Sequence, residues 1–107
     1  MGWERTRRRY RLVHTVLDEI ARTGRPEVPP TLREEVDVEF GGFAGFLHEV
    51  QRRWYRSLDA RLDGFAAVGV VWRELADDLL ATRLLIDTYS WHPALAELDA
   101  WHEREIA

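Results

Sequence analysis

Three sets of side chains have types and spacings that could do chemistry. The first is a basic run, Arg5, Arg7, Arg8, Arg9 and Arg11, opposed among the first eleven residues only by Glu4. Guanidinium groups at this density suit phosphate or an acidic protein surface. The second is a set of four histidines, His14, His48, His92 and His102. His14 and Asp18 stand four residues apart, and His102 and Glu103 follow Asp99 by three and four, so each group places two potential ligands on one helical face. The third is aromatic: Trp3, Trp54, Trp72, Trp91 and Trp101, with the pair Trp91-His92 echoed ten residues later by Trp101-His102.

The basic run is a real asymmetry. Outside it the chain holds 10 arginines against 18 acids, and the whole carries a net charge of -4. Cations in a first helical turn oppose the helix dipole by about 0.3–1 kcal/mol each. Arg5/Arg9 and Arg7/Arg11 are also like-charge pairs at i,i+4. Something must compensate them. An acidic segment at 31–40 spans about 15 Å as a helix against about 30 Å for the first one. If the two pack antiparallel, these acids reach residues 14 to 23 and miss the arginines. Compensation is then expected from Glu74, Asp77, Asp78, the last helix or an external acidic partner. The overall negative charge disfavours a dedicated nucleic-acid binder, whose pI is usually high.

The histidines lack the context of a metal centre. A di-iron bundle needs four carboxylates and paired Glu-x-x-His motifs, and zinc hydrolases carry His-Glu-x-x-His. Neither pattern occurs. The expectation is ordinary hydrogen-bonded histidines, with a ligand pocket using His14, His92 or His102 beside the tryptophans as an alternative; no metal or cofactor is implied. Residues 9 to 14, Arg-Tyr-Arg-Leu-Val-His, resemble over those six positions the Arg-x4-His motif of a family of helical-bundle ribonucleases. That family carries its motif late in the domain, here it falls on the first helix, and the activity is not carried over. Zero cysteines exclude disulfide frameworks, thiolate metal sites and cysteine nucleophiles. Ser57 and Ser90 are the only serines and neither sits in a glycine-flanked elbow. The glycines at 41, 42 and 45 lack the following Lys-Ser/Thr of a phosphate loop. No catalytic residue is assigned.

The elements that must position these groups are helical. From Trp3 to Thr23 the apolar residues recur every three or four positions, and Gly24 stands where a left-handed cap belongs. Thr31 and Glu34 form a capping-box pattern for a short acidic helix that Gly41-Gly42 should end. The stripe Phe43, Leu47, Val50, Trp54, Leu58 and Leu62 predicts a third helix, ended by Asp63-Gly64. From Val68 to Ile86 one continuous helix is expected, apolar around much of its circumference and therefore central. Pro93 opens a closing helix with Leu95, Leu98, Trp101 and Ile106. Trp54 and Trp72 are expected in the core, and Trp3, Trp91 and Trp101 at the bundle ends.

The reading is an all-α, single-domain bundle over residues 1–107, with four main helices plus one short helix, mostly antiparallel. The apolar stretches at 40–47 and 65–72 are far short of the roughly 20 residues of a membrane-spanning helix. Gly2 to Thr6 fit the loose N-myristoylation pattern, a chance match in a bacterial chain. All basic residues are arginine, and lysine and asparagine are absent, as GC-rich codons would produce; a high-GC bacterial source and a cytoplasmic location are expected. Functionally, the sequence suggests a small non-enzymatic protein acting through protein contacts, as a homodimer or an adaptor for an acidic partner. Its surface would be Trp3, Arg5, Arg8, Arg9 and Tyr10 of the first helix, joined by Trp101. The alternatives are a nucleic-acid-binding accessory factor using the same arginines and a ligand- or metal-binding bundle.

Overall fold

The first 22 residues after Met1 form α1 (Gly2–Thr23), and its apolar stripe buries Leu12, Val13, Val16 and Ile20. Burial begins only at Leu12, so the basic turns before it lie along the rim of the bundle. The computed structural model describes residues 2–62 and 67–106, with side chains up to His102. Gly24 caps α1 as expected, at φ 72°, and donates its N–H to the Ile20 carbonyl at 2.8 Å. Near that end Arg22 hydrogen-bonds Glu19 and holds its carboxyl below the usual range, so this contact fades as pH falls.

Val28 is buried and pins the connection back along α1. The capping box does not form. Pro29 and Pro30 instead launch a 3₁₀ turn over Pro30–Leu32, closed by the Leu32 N–H on the Pro29 carbonyl. Fixed proline φ angles draw Thr31 into the turn, so α2 (Arg33–Phe40) begins at Leu32 with no side-chain cap. At its end Gly41 adopts φ 72° and Gly42 φ 120°, and the chain turns directly into α3 (Phe43–Arg61). Gly45 allows that corner: a Cβ there would sit 1.8 Å from the Phe40 carbonyl oxygen. The glycine-rich stretch at 41–45 is therefore a tight α2–α3 corner.

The central helix is α3, which packs against α2, α4, α5 and α6. It buries Phe46, Leu47, Val50, Gln51, Trp54 and Leu58. The expected break at Asp63-Gly64 lies outside the described residues. Beyond it the single helix anticipated over 68–86 is two, α4 (Val68–Asp78) and α5 (Leu80–Thr88), bent at Leu79 with φ −119° and ψ 52°. No glycine or proline marks that bend. Beyond the bend α5 packs on α1 as well as on α3 and α4. The pair is also peripheral, with Val68, Trp72, Leu80 and Leu84 exposed. After residues 89–92, α6 (Pro93–Ile106) closes the chain and buries Leu95 and Leu98. Among the described residues every regular element is helical, in an all-α arrangement.

Trp54 joins three of these helices. Its fully buried indole meets Trp72 of α4 edge-on at 5.8 Å and lies 4.5 Å beneath the Arg83 guanidinium of α5. Arg83 also covers Trp72 at 4.9 Å and pairs with Asp87. Trp72, expected in the core, is a half-covered lid on it. Replacing Trp54 by Ala should cost about 3–5 kcal/mol in urea unfolding, since it leaves a large cavity. Gly45→Ala should cost about 1–3 kcal/mol, because the obstructing atom is backbone and α2 must shift. An unchanged urea midpoint for Gly45→Ala would contradict the close corner.

Candidate functional site

The most elaborated polar geometry lies between α3 and α6. On α3, Gln51, Tyr55 and Asp59 follow one another at single-turn spacing; on α6, Asp99 and His102 are three apart. The two series mesh in the same order. Gln51 Nε2 and the Tyr55 hydroxyl both donate to Asp99 Oδ1, and His102 Nε2 lies 3.2 Å from Asp59 Oδ1. Rising residue numbers on one helix meet rising numbers on the other, so α3 and α6 run parallel. The Tyr55 ring stacks on the His102 imidazole at 3.8 Å and 13°.

Burial gives this ladder its consequence. Gln51 is 3% exposed and His102 6% exposed. Among the described residues Gln51 Oε1 has no hydrogen-bond partner, and its amide is held by the bond to Asp99. Polar groups taken from water are tolerated when paired, and an alternative α6 register would orphan several at once. The ladder thereby fixes the position of α6 along α3.

Beside the ladder opens a cleft of about 660 Å³. Arg52 and Arg56 of α3 line it together with Asp59, Glu97, Trp101 and the Tyr55–His102 stack. Trp101 is 51% exposed. No serine, threonine or cysteine lines the cleft among the described residues. The polar groups on the lining are the His48 and His102 imidazoles, the Tyr55 hydroxyl, the Asp59 and Glu97 carboxylates and the two arginines.

The sequence-derived candidates fall into separate places. His14 is exposed on α1, with its ring 4.3 Å from that of Tyr10. His92 serves the start of α6, its Nδ1 accepting the Ala94 N–H at 3.1 Å. Of the three proposed pocket histidines only His102 lines the cleft, where His48 joins it. Among the described residues no cluster of three or more His, Asp or Glu could hold a metal ion. Trp101 lies on this cleft, which no residue of α1 lines, whereas Arg5 and Arg8 line a depression of about 360 Å³ with Gly2 and Glu4.

The expected isolation of the arginines from the acidic segment needs correction. Glu39 of α2 lies 3.3 Å from Arg8 and 3.8 Å from Arg9. Residues 24–32 intervene between α1 and α2, so α2 starts nearer the arginines than a direct turn at Gly24 would place it. The Arg9 guanidinium also lies over Phe40 at 5.5 Å, and Arg7 covers Trp3 at 4.0 Å. Among the described residues no acid pairs with Arg5, Arg7 or Arg11.

Sequence reasoning missed Gln51, Tyr55 and Asp59. The available signal was their i, i+4, i+8 spacing opposite Asp99 and His102, but nothing in one chain says that helices three and six are neighbours. Asp99→Ala would strip the acceptor from Gln51 and Tyr55 together and should cost about 1–3 kcal/mol in urea unfolding. A variant as stable as the parent would mean that the ladder does not hold α6.

Comparison of the chain with protein-family models, with curated proteins and with solved structures finds no match.

Proposed function

We propose that this chain is a small non-enzymatic helical protein that acts through protein contacts as a homodimer, and that the outer face of α4 and α5 is the contact surface. The observation that carries this reading is the apolar exposure of that layer. Val68 and Trp72 stand one turn apart on α4, Leu80 and Leu84 one turn apart on α5, and all four are exposed, Leu80 to 68%. Arg83 of α5 lies 4.9 Å from the Trp72 ring and ties the two helices together. Contiguous apolar surface with a polar rim is costly to leave in water and marks interaction sites.

The rim favours a second copy as occupant. Arg73 has no acidic partner among the described residues, while Asp77 lies one turn further along the same helix and Asp78 is held by Arg61 at 2.8 Å. A two-fold contact sets each patch against itself, so a rim carrying both signs can pair with its own copy. A second surface for an acidic protein is supported by Arg5, Arg7 and Arg11 on α1, exposed and without acids among the described residues.

The test is light scattering on the purified protein. The reading predicts twice the 12.6 kDa chain mass across micromolar concentrations. Leu80→Asp should give a folded monomer, because the replaced side chain is already largely in water. A wild-type monomer would overturn the homodimer, and a Leu80→Asp dimer of undiminished affinity would move the contact elsewhere. For α1, nucleic-acid binding that falls steeply with salt and disappears on replacing Arg5, Arg7 and Arg11 by Ala would identify phosphate as the partner in place of protein.

A further inference from the structure

The cleft between α3 and α6 has the makings of a small-molecule site independent of the dimer face. Its volume of about 660 Å³ lies within the roughly 300–1,000 Å³ usual for ligand pockets. One part of its lining is flat and apolar: the Trp101 indole, half exposed, the Tyr55–His102 stack, and Leu98. An indole left half in water beside a preformed ring stack offers a surface for a planar ring. The other part is cationic. Arg52 and Arg56, one turn apart on α3, present two guanidinium groups to the same space. Arg52 shares its charge with Glu49 at 3.5 Å, and Arg56 has no acidic partner among the described residues.

The acids of the lining select among anions. Asp59 and Glu97 face the cleft together with the arginines, and Asp59 is engaged by His102. Two cations against two carboxylates leave little net attraction for a phosphate dianion, which would bring two charges toward both acids. A carboxylate needs only one guanidinium fork, which matches it in geometry. The acids can then accept hydrogen bonds from an N–H or O–H elsewhere on the same molecule.

We propose that the α3–α6 cleft binds a small planar aromatic carboxylate, its ring against Trp101 and the Tyr55–His102 stack and its carboxylate on Arg56 and Arg52. A ring bearing an amino or hydroxyl donor beside the acid group suits Asp59 and Glu97 best. The proposal rests on cleft geometry alone and stands or falls separately from the homodimer.

Anthranilate, a one-ring amino acid anion, is a suitable probe, followed by two-dimensional NMR of the labelled full chain. The indole N–H signal of Trp101 and the Nε–H signals of Arg52 and Arg56 should shift saturably, with a dissociation constant below about 1 mM. Arg56→Ala should weaken binding about tenfold, a loss of about 1.4 kcal/mol. The double change Arg52→Ala with Arg56→Ala should abolish it. Both side chains are exposed, and unchanged shifts for the buried core would verify the fold. Aniline, which lacks the carboxylate, should leave the Trp101 signal in place. The proposal is overturned by an absence of saturable shift at Trp101, by binding that survives the double change, or by phenyl phosphate binding more tightly than anthranilate.

Discussion

The burial of Trp54 constrains more of this molecule than any other single contact. Its indole occupies the point where α3, α4 and α5 converge, with Trp72 against its edge and the Arg83 guanidinium over its face. A cation over a desolvated indole contributes about 2 kcal/mol, and the arginine stem adds packing of its own. Arg83 takes this position from α5, beyond the bend at Leu79. The same bend turns Leu80 and Leu84 outward. The chain fills its core with Trp54, Leu75, Leu85 and Ile86 and leaves Val68, Trp72, Leu80 and Leu84 exposed on the same two helices.

The flank of α3 next to Trp54 is organised by polar pairing. Leu95 and Leu98 bury α6 against α3 but would tolerate sliding, because apolar contacts are non-directional. Asp99, accepting from Gln51 and Tyr55, and His102, beside Asp59, remove that freedom. The cleft depends on this register, since its ring stack combines one residue from each helix. One central helix therefore carries an aromatic junction and, on the adjoining flank, a polar ladder, and each has a candidate binding surface beside it.

Much of the secondary structure was legible in the sequence, because its punctuation is local. Gly24, Gly41-Gly42 and Pro93 bound α1, α2, α3 and α6 where their backbone preferences place boundaries. The bend at Leu79 was illegible for the complementary reason: no glycine or proline marks it, and the contacts of α5 with α1 and α3 are long-range in sequence. Apolar residues around much of α4 and α5 predict a central helix, although the same pattern also describes a peripheral helix with an uncovered face. Thr31 misled because capping depends on where the chain enters the helix, and two prolines moved that point. Of the candidate cleft, His102 and Trp101 were visible by type and Gln51, Tyr55 and Asp59 were not, since a parallel pairing of non-adjacent helices leaves no signature in spacing. The reach of Glu39 to Arg8 and Arg9 likewise depended on the path of a loop.

The central claim is that the outer face of α4 and α5 meets a second copy of the chain. Because the protein has no cysteine, a single introduced thiol can carry a spin label without background. Labels at Asp77→Cys, on the rim of that face, and separately at Thr6→Cys on α1, report inter-subunit distances by pulsed electron paramagnetic resonance. The account predicts a discrete distance at both positions, shorter at 77 than at 6. The absence of any dipolar signal, or a shorter distance at 6, would contradict it.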